Sequence, residues 1–196
     1  MKIGLTPLEN EIVRLEPYAD AIRDDLREAL DVDPDSWALL VGSAFGPAFD
    51  VWWASWTGQQ ADGQATCFAV RDQATGRIVG TTALFEFQPK HRRLELGATF
   101  YRPEARGSRI NPACKRLLLG HAFDAGALRV EILTDALNLR SRAAIARLGG
   151  VEEGTLRSHK ITHTGRLRDT VLFSILPAEW PSVRDRLDTR LAAATT

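Results

Sequence analysis

Only two cysteines, Cys67 and Cys114, occur among the 196 residues. That count excludes a disulfide framework, and neither cysteine stands at metal-ligand spacing, so no metal site is expected. Both fall in apolar segments and read as small core residues. Long hydrophobic runs are missing too. No stretch is apolar enough to span a bilayer, and the opening MKIGLTPLENEIVRLEP has no signal-peptide core, so a soluble, cytoplasmic protein without a membrane partner is expected. Net charge is likewise absent, with 25 basic residues against 25 acidic ones. A neutral chain with no strand face of clustered aromatic and basic residues lacks the broad electrostatic grip of a nucleic-acid-binding protein. No linker, internal repeat or low-complexity block appears, so residues 1–196 read as one domain.

A further absence is local. The stretch Tyr101–Gly126, YRPEARGSRINPACKRLLLGHAFDAG, reads as a strand end, an arginine-bearing loop and a helix. Asn111 is expected as N-cap, Pro112 as the first helical residue, and Gly126 as the left-handed residue closing the helix. The first turn carries no Asp or Glu to meet its free N–H groups and positive dipole end, while Arg102, Arg106 and Arg109 approach from the loop. Either this is an uncompensated positive pocket for a polyanion such as a phosphate, or a solvated arginine-rich loop.

In chain order, EIVRLE (residues 11–16) reads as a strand and Pro17 as the opening of a helix to about Leu30. A second helix is expected from near Pro47, placing Phe49, Trp52, Trp53 and Trp56 on one face. That aromatic stripe serves the core or a dimer contact, or borders a substrate cleft. Residues 65–71 and 77–86 form a hairpin pattern, and Leu94–Tyr101 follows as a strand containing Glu95, with Gly97 marking a bulge or a close backbone approach. Leu128–Thr134 is a strand, Asn138 caps a helix closed by Gly149, residues 152–161 and 166–176 are strands, and Glu179–Leu191 is a last helix before a frayed tail. This order implies an α+β fold, a mixed, mainly antiparallel sheet flanked by helices.

Taken together, the segments resemble the GCN5-related N-acetyltransferase (GNAT) superfamily and its RimJ/RimL-type branch, most specifically over RVEILTDALNLRSRAAIARLGGVEEGTLRSHKITHTGRLRDTVLFSILPAEWPSV. The resemblance implies a central sheet splayed in the middle, acetyl-CoA as acyl donor with no metal, and a primary amine as acceptor, either a protein N-terminus or a small molecule. It places the pyrophosphate loop on Arg106, Gly107, Ser108, Arg109, Ile110 and Asn111. Arg109 and Asn111 stand where the family usually has small residues, so Arg109 either crowds the cradle or grips phosphate itself. Asn138 and Ser141 match a second motif. The tyrosine that many relatives carry seven residues after that asparagine is here Ile145, leaving Ser141 as the nearest hydroxyl to protonate the leaving thiolate, unless it serves only the helix cap. A backbone N–H near Phe100 or Tyr101 would steady the oxyanion, and Glu95 is the candidate base, with Glu86 and His159 as alternatives and a solvated strand-edge carboxylate as the plainer role. Trp52, Trp53 and Trp56 are candidate substrate contacts, and a homodimer through the tryptophan helix or final hairpin is possible on this pattern. A second function class is a non-catalytic acyl-CoA sensor or scaffold on the same fold.

Overall fold

The computed structural model describes residues 1–193. The expected tail lies partly outside them, at residues 194–196. Eight strands form one sheet: β1 (Leu8–Glu9), β2 (Val13–Pro17), β3 (Ala65–Asp72), β4 (Ile78–Gln88), β5 (Arg93–Tyr101), β6 (Arg129–Asp135), β7 (Val151–Ile161) and β8 (Leu167–Ile175), in the order β1-β2-β3-β4-β5-β6-β8-β7. Every neighbouring pair is antiparallel except β5 and β6, which run parallel. A parallel pair needs a crossover, and helix α4 (Ile110–Asp124) supplies it.

Alternation along the strands divides the core in two. One face carries Leu94, Leu96, Val130, Ile132, Val171 and Phe173, packed with α4 and α6 (Trp180–Ala193). The other carries Cys67, Ala69, Ala83 and Phe100, packed with α1 (Arg23–Leu30), α2 (Pro34–Trp37) and α3 (Phe49–Ala61). Helix α5 (Leu139–Leu148) returns its Ile145 and Leu148 to the first core. No helix among the described residues is long and apolar enough to cross a membrane.

Gly126 and Gly149 close α4 and α5 in left-handed geometry, with φ of 84° and 108°, as their positions after the last helical residues predict. Three expectations are corrected. Pro17 ends β2, opposite Phe68, and does not open a helix; Tyr18 is buried with its hydroxyl bonded to Thr81, which keeps the backbone extended through Ala19. The short strand β1 and helix α2 were not expected. Asn111 is not the N-cap of α4, because the helix starts two residues earlier, at Ile110 with Arg109 in the N-cap position: Ser108 Oγ accepts from the Ile110 N–H at 3.2 Å and donates to the Ala105 carbonyl at 2.7 Å. Pro112 is therefore the third helical residue, where its missing N–H still costs nothing.

Candidate active site

The parallel seam between β5 and β6 is short. Arg93, Leu94 and Glu95 pair with Arg129, Val130 and Glu131, and there the register stops. Beyond Glu95, β5 continues alongside β4 as far as Tyr101, while β6 continues alongside β8 as far as Asp135. The strands part because β5 carries a bulge: Thr81 pairs with Phe100 and Ala83 with Gly97, so Ala98 and Thr99 share the place opposite Thr82, and Ala98 takes φ 47°. Gly80 lets β5 lean onto β4, since a Cβ there would collide with the Phe100 carbonyl oxygen. Lys115, buried on α4, pins the bulge by donating to Thr99 Oγ1 at 2.9 Å, and that hydroxyl meets Thr82 Oγ1 at 2.9 Å. Burial lowers the Lys115 pKa to about 8. The slot between the parted strands exposes one side of β5, whose alternate peptide groups are free to pair with an extended ligand.

Because β5 and β6 are parallel, the helices that follow them, α4 and α5, both begin at the same end of this slot. Gly107 turns the chain into α4 with φ 73°, and no side-chain carboxylate among the described residues accepts from the first-turn N–H groups. Two of the three loop arginines, Arg102 and Arg106, are paired within the chain. Arg102 donates to Glu104 at 2.6 Å. Arg106 donates to the Tyr101 carbonyl at 2.8 Å, pairs with Asp33, reaches Ser36 Oγ at 3.3 Å and lies over the Phe100 ring. Asp33 is held below its ordinary carboxyl pKa by Ser36 and then by Arg106. Arg109 alone of the three has no ion-pair partner among the described residues; its Nε is enclosed without an acceptor, and Asn111 Oδ1 is enclosed without a donor. Phe100 and Tyr101 have buried side chains, Phe100 stacked on Trp37 at 4.2 Å, so only their backbone groups reach the slot.

On the α3 face, where the seam ends, lies Glu95. It is 7% exposed, and its carboxyl makes no hydrogen bond with any described residue. Burial raises its pKa to about 7, against the opposing pull of Lys160; Glu86 and Glu131 add to the rise, while Arg168 works against it. Gly97 leaves room for the carboxylate, since a Cβ there would stand 3.1 Å from Glu95 Oε1. Phe85 packs beside it and Trp56 meets Phe85 edge-on at 5.3 Å, bringing Trp56 to this wall. Trp52 and Trp53 instead lie in the core against Tyr18 and Phe49. His159 is exposed, its pKa held down by partial burial and by the Lys160 and Arg168 charges.

This geometry meets an independent observation: the family model for the acetyltransferase (GNAT) domain matches residues 13–151. The chain belongs to the GNAT acetyltransferase family. It is similar to a GCN5-related N-acetyltransferase from Brucella melitensis, 29% identical, with 97% of this chain and 87% of that one covered and a TM-score of 0.88. It also shares its fold with Mycobacterium smegmatis RimJ in complex with CoA-disulfide, at 21% identity, 96% and 93% coverage and a TM-score of 0.78. Among curated proteins it is similar to "Putative ribosomal N-acetyltransferase YdaF" of Bacillus subtilis (strain 168), 33% identical over 106 residues. That match takes in 54% of this chain and spans 57% of the relative's length.

The GNAT donor, acetyl-CoA, carries a diphosphate and an extended arm bearing amides. The residues present fit it: open amides at the start of α4, an enclosed Arg109 Nε without a partner, and the unpaired side of β5. At the other helix start, Asn138 Oδ1 accepts from the Ser141 N–H at 3.0 Å, so Asn138 is the N-cap of α5. Ser141 Oγ makes no hydrogen bond with any described residue, and Ile145 is buried one turn further on.

Several residues of the site escaped the reading by motif. Lys115 sits three and four residues before Leu118 and Leu119, inside the apolar stripe of α4; a lysine in such a stripe is the signal. Arg168, Thr170 and Ser174 alternate with Val171, Phe173 and Ile175, which marks a polar, buried strand face. The contacts that Asp33, Ser36 and Trp37 make with Arg106 and Phe100 leave no local signal, since those partners lie far along the chain.

Proposed function

We propose that this chain transfers the acetyl group of acetyl-CoA to a primary amine by direct attack. The parting of β5 and β6 with Glu95 at its floor carries this reading, because it puts a base of suitable pKa where an extended thioester donor would end. Held by the Arg106–Asn111 turn, with Gly107, Ser108, Arg109 and Ile110 forming the cradle, acetyl-CoA supplies the thioester carbonyl. Glu95 takes the proton of the acceptor ammonium, whose ordinary pKa is about 7.7–8.0 for an α-amino group. As the N–C bond forms and the C–S bond breaks, a backbone N–H of β5 near Phe100 or Tyr101 donates to the carbonyl oxygen, Ser141 Oγ passes its proton to the departing sulfur, and the second proton shed by the acylated nitrogen restores the Ser141 hydroxyl. Trp56 lines the acceptor side. The acceptor is a protein N-terminus or a small amine, and the ribosomal name of the Bacillus subtilis relative favours the former.

Thiol release from acetyl-CoA over a panel of peptides and small amines tests this. Acetyl-dependent release with at least one amine is expected. The replacement of the usual tyrosine by Ile145 favours a second reading, a non-catalytic acyl-CoA sensor, and tight CoA binding without release on a broad panel would establish it in place of the first.

A further inference from the structure

Arg168 is 6% exposed, yet no described residue accepts a hydrogen bond from its side chain and no carboxylate forms an ion pair with it. Its Nε is enclosed without an acceptor, so the terminal nitrogens are what an incoming group can reach. A buried guanidinium with unmatched N–H groups is costly, and native proteins keep one where something else completes it. Register fixes which way it faces. Ser174 pairs with Glu131 and Glu131 with Glu95, and alternation puts Thr170 and Arg168 on the same sheet face as Ser174. Arg168 therefore shares the face of the candidate base.

Two neighbours sharpen the imbalance. Lys160 is paired in register with Arg168, setting two cations side by side with no carboxylate between them, an arrangement that opposes strand pairing unless an anion joins it. Asp135, the buried carboxylate on the adjoining strand, is already engaged by Arg166 and by the Leu137 N–H. Thr170, two residues on, keeps a buried hydroxyl with no partner. Arg168 and Glu95 are near enough to sense one another's charge yet form no ion pair. The segment after α2 roofs this side: the Leu40 carbonyl accepts from the His163 N–H, and His163 Nε2 meets the Trp37 carbonyl at 3.0 Å.

We propose that Arg168, with Lys160 beside it, binds a carboxylate carried by the acceptor, so that the preferred substrate presents an amine to Glu95 and a carboxylate to Arg168. This rests on the transferase reading, and it narrows the acceptor to carboxylate-bearing amines: a free amino acid, or a peptide with an acidic residue beside its N-terminus.

The test uses matched acceptors differing only in that charge. One arm pairs an amino acid with its carboxamide; the other pairs a peptide beginning Ser-Glu with one beginning Ser-Gln. In at least one arm the wild-type protein is expected to favour the carboxylate about tenfold to a hundredfold in kcat/KM, mostly through KM, as a charged hydrogen-bonded pair provides. Arg168→Gln is expected to bring that ratio close to one, and Arg168→Lys to restore part of it, which a merely structural role would not do. A wild-type ratio near one in both arms, or an unchanged ratio in Arg168→Gln, overturns the proposal. If no amine releases thiol, the transferase reading fails separately, and equilibrium binding of the same pairs to the CoA-loaded protein decides the role of Arg168: a carboxylate preference lost in Arg168→Gln supports it, and no preference overturns it.

Discussion

Replacing Glu95 by glutamine is expected to make the protein more stable and less active at the same pH. Burial moves the Glu95 pKa from 4.5 up to about 7. A carboxyl whose folded pKa exceeds its unfolded one holds its proton more tightly when folded. Its folding penalty is therefore absent below pH 4.5, grows as the pH climbs, and is complete above about 7. A displacement of roughly 2.5 units at about 1.36 kcal/mol each makes that penalty about 3 kcal/mol. Glutamine has the same shape and no charge, so it escapes the penalty. At pH 8 its Tm is expected to rise by roughly 6–12 °C, at about 2–4 °C per kcal/mol for a chain of this size. At pH 4 the two proteins are expected to melt together. The same change removes the proton acceptor, so kcat/KM is expected to fall by about a hundredfold or more and the limb of the pH–rate profile near pH 7 to vanish. Thermal melts at pH 4 and 8, with initial rates from pH 5.5 to 9, give both readouts. A variant less stable than wild type at pH 8 would refute the burial argument, and a variant keeping the limb near 7 would place the base elsewhere.

Ser141→Ala is expected to lower kcat about tenfold or more with KM little changed, because Asn138 caps the Ser141 backbone N–H and the hydroxyl holds no structural contact; an unaltered kcat removes its role as proton donor. The two loop arginines are expected to separate under mutation. Arg109→Ala raises KM for acetyl-CoA about tenfold to a hundredfold, weakens its salt dependence and leaves Tm unchanged, since Arg109 has no ion-pair partner among the described residues. Arg106→Ala leaves Asp33 unpaired and uncovers Phe100, so it loses about 1–3 kcal/mol of stability as well, read by denaturant titration alongside cofactor binding. Equal Tm losses in the two variants would contradict the division of labour between them.

Much of the fold was legible because its signals are local. The short apolar runs of β3, β4 and β5 between turn residues, the glycine closing α4, and Asn138 with Gly149 around α5 each declare themselves within a few residues. Pro17 misled because its extended conformation serves either a strand end or a helix start, and the choice was made by the burial of Tyr18 against Trp53, 35 positions away. Asn111 misled because Ser108 offered the helix start an equally good oxygen one turn of loop earlier. The positive charge of the loop was legible, but its neutralisation by Asp33 was not: an ion pair spanning 73 residues has no local trace. Glu95 could be singled out as a carboxylate in a strand, while its raised pKa depends on Phe85, Gly97 and the surrounding charges, which only the folded sheet assembles.

The single parallel pair explains why two chemically opposite demands can be met in one neutral domain. A crossover through α4 is the price of running β6 beside β5 in the same direction, and it brings two helix starts to one end of the seam. Those starts offer N–H groups to an anionic donor. The bulge at Ala98 and Thr99 then separates the strands just past Glu95, so the donor slot ends where a buried carboxyl faces the opposite sheet surface. Arg168 and Lys160 stand on that surface, on the sheet face opposite the one α4 packs against. On the proposed assignment, donor and acceptor would approach from different sides of the sheet and meet where the seam opens. Closing the bulge would join β5 to β6 along their length and remove the meeting point while preserving every helix and strand. For that reason Lys115, which holds Thr99 in place and touches neither proposed ligand site, belongs with the residues on which the chemistry depends.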